Sequence, residues 1–210
     1  MLKRTAKERI TKDPEERKLE LIDAAERLFM ERGYEATAVS DIVQEVGVAQ
    51  GTFYYYFPSK EEILEAIIEK DMAALEDDAR LIMQDHMLDP AAKINAMVNS
   101  IIGISSSRKE IMDYLHKESN AVMHEKMERH LIERLVPLMS EVVSDGAQEG
   151  RFDVQHPTEA VEFLLASMVY FFHHPEIFAD PARSKKMRST LETILGRALG
   201  VKDYRFILVV

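Results

Sequence analysis

Between residues 38 and 60 the apolar positions first follow helical spacing, then stop at a glycine, then resume as a short aromatic run that ends at a proline. Val39, Ile42, Val43 and Val46 stand at i, i+3, i+4 and i+7, a single apolar stripe on a short helix that needs a core to face. Gly47 follows where a tight turn requires positive φ, with Val48 as an apolar pin, so the spacing predicts a helix-turn-helix. In the segment after the turn only Phe53 and Phe57 are spaced to join the same core. Gln50, Thr52, Tyr54 and Tyr55 are left pointing largely away from it. Pro58 disfavours helical geometry at Phe57, and Ser59 with Glu62 reads as a capping box that opens the next helix. A very short helix between a turn and a cap suits insertion into the major groove of DNA.

The rest of the chain is read as helices throughout. Asp13-Pro14 forms an N-cap and first-turn pair for a helix to about Arg32, closed by Gly33. Apolar positions Ile63, Leu64, Ile67, Ile68, Met72 and Leu75 carry the helix after Ser59 to about Leu88. Asp89-Pro90 opens another over residues 92–104, and the serine run at 105–107 is expected to break it and cap a helix through Lys117. A long helix follows over about 120–148, with a kink or break expected near residues 133–135 because Pro137 removes a backbone bond. His156-Pro157 begins a helix whose residues 160–172 are apolar on nearly every side, and a helix hydrophobic all round must be buried all round. Asp180-Pro181 opens a last helix to Gly200, with Met187, Leu191, Ile194, Leu195 and Leu199 as its apolar positions. No stretch shows sustained strand alternation, so the fold class is all-α. The apolar run Phe206-Ile207-Leu208-Val209-Val210 has no assignment at this level.

Composition narrows the classes. With 210 residues, 46% of them hydrophobic, the chain can bury a sizeable core and need not be one compact unit. We expect a small domain over residues 1–60 and a larger one over 61–210. Cysteine is absent, which excludes disulfides and thiolate chemistry. The first residues lack the apolar stretch of a signal peptide and no window approaches a membrane span, so a cytoplasmic protein with no membrane partner is expected. The net charge of −10 is unevenly spread. Residues 1–12 hold Lys3, Arg4, Lys7, Arg9 and Lys12 against Glu8 alone, whereas residues 61–210 hold 17 basic and 26 acidic side chains. A basic arm ahead of the first helix suits phosphates or the minor groove.

Leu19, Ile22, Ala25, Leu28 and Phe29, then Gly33-Tyr34 and Thr37, then Gly47-Val48, Gly51-Thr52-Phe53-Tyr54, Phe57 and Lys60 together resemble the DNA-binding domain of TetR-type transcriptional regulators. The resemblance covers the N-terminal quarter of the chain. It implies a DNA-binding regulator, a repressor by family expectation, that reads a palindromic operator as a homodimer and answers to a small effector. Gln50 can present donor and acceptor to a base edge, Gly51 allows close backbone approach, and Thr52 can bond a phosphate or touch a thymine methyl. Tyr54 and Tyr55 offer flat faces with hydroxyl tips, while Tyr56 divides between core and backbone contact. Lys60 is placed like the family's phosphate-contacting lysine, and Thr37 with the amides it caps would hold a second phosphate. Two departures stand in the second helix: Ala38 where the family often has a hydroxyl residue, and Ser40 where many members carry a longer, often basic side chain. Ser40 remains a candidate contact.

In such proteins the last two helices pair with their copies in a second subunit, and Phe163, Leu164, Ser167, Tyr170, Phe171, Leu191, Ile194 and Leu195 are the expected interface. For the effector, Met97, Met123 and Met168 are flexible, polarizable side chains suited to an adaptable apolar site, with Asn99, Tyr114, His116, His124 and Tyr170 as orienting polar groups. An alternative has the larger domain bind a protein partner instead. An enzyme is not expected: His173 and His174 are adjacent and face different directions, His124 and His130 lack metal-ligand spacing, and no phosphate loop or nucleophile motif appears. No cofactor or metal is implied.

Overall fold

The computed structural model describes residues 13–117, 120–172, 174, 177 and 179–209. The basic arm, His173 and Val210 lie outside the described residues. Among these residues there are nine helices and no strand: α1 (Pro14–Arg32), α2 (Val39–Val46), α3 (Gln50–Tyr56), α4 (Lys60–Gln84), α5 (Pro90–Ser107), α6 (Lys109–Leu115), α7 (Ala121–Gln148), α8 (Pro157–Phe172) and α9 (Pro181–Ala198). The chain divides into two compact units between Ile67 and Ile68.

Three helices begin at the Asp-Pro pairs as the sequence predicts. Asp13 Oδ1 accepts from the Glu15 amide at 2.9 Å, Asp89 Oδ1 from the Ala92 amide at 2.8 Å and Asp180 Oδ2 from the Arg183 amide at 2.9 Å. Each carboxylate satisfies a donor that has no partner within the helix, and the proline behind it has no donor to satisfy. In the first unit α1 packs on α2 and α2 on α3. Their core is Leu21, Ile22, Ala25, Leu28, Phe29, Ile42, Val43, Phe53 and Phe57, all buried. Leu19, the first residue of the family-like pattern on α1, is 52% exposed, whereas Leu21 is fully buried.

In the second unit α7 packs against both α8 and α5. Two sets of ion pairs tie α4 into it. Arg108, between α5 and α6, forks onto Asp71 at 2.9 and 2.8 Å, and Arg134 on α7 reaches Glu69 and, at 3.7 Å, Glu76. The Arg108 fork is bidentate and half-buried, the geometry in which such a pair is strongest.

Neither expected break in the helices is present. The serine run does not end the helix at 104, because Ser106 Oγ and Ser107 Oγ donate to the carbonyls of Ile102 and Ile104 at 3.0 Å each. Back-bonded in this way the serines remain helical, and the chain turns only at Arg108. Pro137 lies inside an unbroken α7; it costs one donor, while buried Leu135, Val136, Leu138 and Met139 hold the segment on either side. The apolar run near the end of the chain is docked, with Phe206 and Leu208 buried.

Among the glycines of the second unit, Gly146 is the most closely packed. A Cβ there would meet the Phe152 ring at 2.4 Å, whereas at Gly103 it would meet nothing within 4 Å. Gly146→Ala is therefore expected to lower stability by about 1–3 kcal/mol through overpacking. Gly103→Ala, in the middle of α5, should raise it by about 0.5–1 kcal/mol. Urea titrations of both variants check the pair; equal effects would contradict the packing described.

Candidate functional site

The turn between α2 and α3 sets the site. Gly47 sits in the left-handed region at φ 73° and ψ 36°; its amide donates to Gln44 O at 3.2 Å and the Val48 amide to Val43 O at 2.9 Å. This pair of bonds caps the end of α2 and reverses the chain within two residues. With seven residues, α3 is too short to persist alone. It is held by Phe53, fully buried, and Phe57, whose ring centroid lies 5.8 Å from that of Phe53.

Seating those two rings decides what is left outside. Gln50 and Gly51 are exposed, Tyr54 is 51% and Tyr55 78% exposed, and Thr52 and Tyr56 are half-buried. Tyr54 packs edge-on against Phe53 at 5.5 Å and Tyr56 against Tyr55 at 4.8 Å. The aromatic edges limit side-chain freedom, so the exposed faces are presented with reduced entropy to lose on binding. No heavy atom lies within 4 Å of a Cβ built on Gly51, so its missing side chain serves no packing within the chain. Ser40 is exposed on α2.

Two expected phosphate contacts are placed otherwise. Thr37 is buried, its single hydroxyl hydrogen shared between the carbonyls of Gly33 at 2.9 Å and Leu28 at 3.2 Å, so its side chain faces the core and does not cap α2. The N-cap is Ala38, which has no side-chain acceptor; instead Asp41 Oδ2 accepts from the Ala38 amide at 2.9 Å, half of a capping box. Lys60 turns inward too. Its ammonium donates to the carbonyls of Tyr34 at 2.8 Å and Thr37 at 2.9 Å and stands 4.1 Å over the Tyr34 ring. Partial burial lowers its pKa, against the opposing pull of Glu61 and Glu35. Lys60 thus closes the corner between α1 and α2, with one of its three donors left over.

A second candidate lies within the second unit: a partly open cavity of about 370 Å³. Val98, Ile102, Met139, Leu164, Met168 and Leu208 contribute to an apolar lining, and Ser106, Lys109, Asp113 and His116 supply polar groups. Of the side chains expected to bind an effector, His116 and Met168 line it. Met97 is buried elsewhere on α5, and Met123 is half-buried outside the lining. Asn99 is engaged with the segment near the end of the chain at 2.8 Å. The Tyr114 carbonyl accepts from Asn120 Nδ2 at 2.7 Å, and Tyr170 is 55% exposed against Phe171 and His174. His124 is buried edge-on to His116, centroids 4.8 Å apart, so it backs the lining rather than joining it. The signal missed in the sequence is a stripe: 98, 102, 106, 109, 113 and 116 fall at helical three- and four-residue steps.

The expected dimer residues divide. Leu164, Ser167, Phe171, Leu191, Ile194 and Leu195 also line the cavity. Phe163 at 69% and Tyr170 at 55% face outward, so α8 is not buried all round within one chain.

Replacing Lys60 by Ala removes the ammonium's bonds to the Tyr34 and Thr37 carbonyls, of which Tyr34 O keeps the Thr37 amide at 3.3 Å, and should destabilise the first unit by about 1–3 kcal/mol. Denaturant unfolding checks this. A Lys60→Ala protein as stable as the wild type would show the corner does not depend on the ammonium.

Comparison with known proteins agrees with this geometry. The family model described as bacterial regulatory proteins, tetR family, matches residues 21–67, and one described as tetracyclin repressor-like, C-terminal domain, matches residues 103–191. The HTH-type transcriptional repressor KstR2 of Rhodococcus jostii (strain RHA1) is 31% identical over 139 residues, 65% of this chain and 68% of that protein. The first curated relatives are covered over 44% to 68% of their own lengths. In fold, a TetR-family regulator from Pectobacterium atrosepticum superposes with a TM-score of 0.71 at 20% identity, covering 89% of this chain and 95% of that one. RolR in complex with resorcinol does so with a TM-score of 0.62 at 20% identity, covering 94% and 97%. With a reading-head match on the first unit, a second-domain match on the other, and a repressor relative at 31% identity, the chain belongs to the TetR family of DNA-binding bacterial regulators.

Proposed function

We propose that this protein is a homodimeric repressor that binds a palindromic operator and leaves it when a small, largely apolar effector fills the cavity of the second unit. The observation that carries the DNA-reading part is the division of α3 into Phe53 and Phe57 inside and Gln50, Tyr54 and Tyr55 outside. Gln50 offers a bidentate amide to a base edge, and the tyrosines offer stacking faces and hydroxyls. In this reading Thr52 and Tyr56, half-buried, serve sugar and phosphate contacts, and Ser40, exposed on α2, is a further candidate contact.

Electrostatics supports a role for the arm. Residues 13–60 hold five basic and ten acidic side chains, and Lys60, one of the five, is occupied inward. The arm at residues 1–12 is then the main source of counterion release. Dimerisation is supported by the uncovered Phe163 and Tyr170 on α8 and Ile194, 46% exposed, on α9. A two-fold pair sets two α3 helices about one DNA turn apart. A cavity with both apolar and polar lining supports a small effector over a protein partner, and RolR's complex with resorcinol is a precedent of the same fold. Occupancy would act by population shift, favouring a conformation whose reading heads no longer match the half-site spacing. The site of action is the cytoplasm, where such DNA lies; no helix among the described residues is long and apolar enough to cross a membrane.

Gel-shift titration with DNA from upstream of the protein's own coding region tests the reading. A discrete complex that weakens steeply with salt is expected, and deletion of residues 2–12 should weaken every sequence and flatten the salt dependence. Tyr54→Ala or Gln50→Ala should cost about 1–3 kcal/mol on the specific site alone. Gly51→Ala should stabilise the fold, by up to about 1 kcal/mol, and still weaken DNA binding. Absence of binding to every fragment, or binding indifferent to salt, would contradict the proposal.

A further inference from the structure

We propose that residues 206–209 form a wall of the effector cavity and that Leu208 sets which ligands the cavity admits; this rests on the reading of that cavity as an effector site. The segment alternates: Phe206 and Leu208 are 1% and 4% exposed, while Ile207 and Val209 are 63% and 70% exposed. A period of two is the pattern of extended chain. Such a segment must find partners for its backbone groups, and no strand lies among the described residues to supply them.

Side chains take that part. Asn95 and Asn99 stand one helical turn apart on α5. Asn95 Oδ1 accepts from the Ile207 amide at 2.7 Å, Asn99 Nδ2 donates to the Ile207 carbonyl at 2.8 Å, and Asn99 Oδ1 accepts from the Val209 amide at 2.8 Å. The Asn99 amide therefore bonds the segment as the peptide of a neighbouring strand would. On the other side the Leu208 amide donates to Glu192 Oε1 of α9 at 3.1 Å. Bonds alternating between α5 and α9 stretch the segment between two helices whose Val98, Ile102, Leu191 and Leu195 line the cavity. The Leu208 side chain completes the same lining. Phe206 anchors the near end, its ring centroid 5.1 Å from that of Tyr204.

A wall fixed by two asparagines and a carboxylate, with one leucine facing inward, limits the length of an apolar ligand at that end. Shortening Leu208 should lengthen the ligand accepted, and enlarging it should exclude ligand by occupying its place. The polar groups on α6 are unaffected by either change.

Fluorescence titration of the full chain with 8-anilino-1-naphthalenesulfonate, followed by displacement with straight-chain 1-alkanols of increasing length, tests the assignment. Wild-type protein should bind the dye saturably, and Leu208→Trp should weaken binding by about tenfold or more. Leu208→Ala should bind the dye and shift the best displacing alkanol to a longer chain, by about two carbons. Met168→Trp, on α8, is the control for the cavity itself and should weaken the dye as Leu208→Trp does. If Met168→Trp loses the dye while both Leu208 variants keep wild-type affinity and alkanol ranking, the wall is wrong and the effector cavity stands. If wild-type protein shows no saturable binding, the effector reading falls and this inference with it. Circular dichroism establishes folding; should Leu208→Trp fail to fold, the alkanol ranking of Leu208→Ala decides.

Discussion

The burial of Phe53 and Phe57 is the constraint on which the reading head depends. A seven-residue helix gains too few internal hydrogen bonds to offset the entropy of forming it, so α3 exists because two rings four residues apart are held in the core built by α1 and α2. The same two rings fix its rotation, and rotation determines that Gln50, Tyr54 and Tyr55 are outside. Gly47 fixes where the helix starts and Pro58 where the chain leaves it. The exposed surface is thus a consequence of packing, with little freedom to be otherwise.

The corner between α1 and α2 shows the same economy of polar groups. Thr37 and Lys60 direct their donors to backbone carbonyls of the corner, so the residues that look most like phosphate ligands in the sequence hold the scaffold in this conformation. That turns one ammonium away from the surface of a segment already rich in acid, which favours the arm at residues 1–12 as the source of electrostatic attraction to DNA. In the second unit charge has a mechanical use: Arg108 and Arg134 join α6 and α7 to α4. Arg108 precedes the cavity residue Lys109, so the α4 contact and the lining on α6 are adjacent in the chain.

Elements whose determinants are local were legible in the sequence. The Asp-Pro starts, the Gly33 and Gly47 ends and the α2 stripe each depend on residues within one or two turns, and each is found where expected. Where a second, distant partner decides, local sequence does not determine the outcome. The serine run looked like a break because back-bonding to the preceding turn competes with capping, and only the surrounding helix shows which prevails. Thr37 and Lys60 look outward-facing in the sequence because their inward partners are backbone carbonyls, which have no signature there. Asn99 reads as a ligand group in the sequence, yet its partner is more than a hundred residues away. Of the cavity, His116 and Met168 were named; the stripe from Val98 to His116 was visible as spacing but crosses the turn at Arg108, where helical periodicity is reset.

The central claim is that a pair of α3 helices, each rotated by its buried phenylalanines, reads two inverted half-sites. Selection of binding sequences from random duplex DNA by the full-length protein, followed by hydroxyl-radical footprinting of the winner, measures it directly. The account predicts an inverted repeat with two protected patches about one helical turn apart, the selection being lost with Gln50→Ala and Tyr54→Ala together. Enrichment of no sequence, or of a single unrepeated site unaffected by those changes, would contradict it.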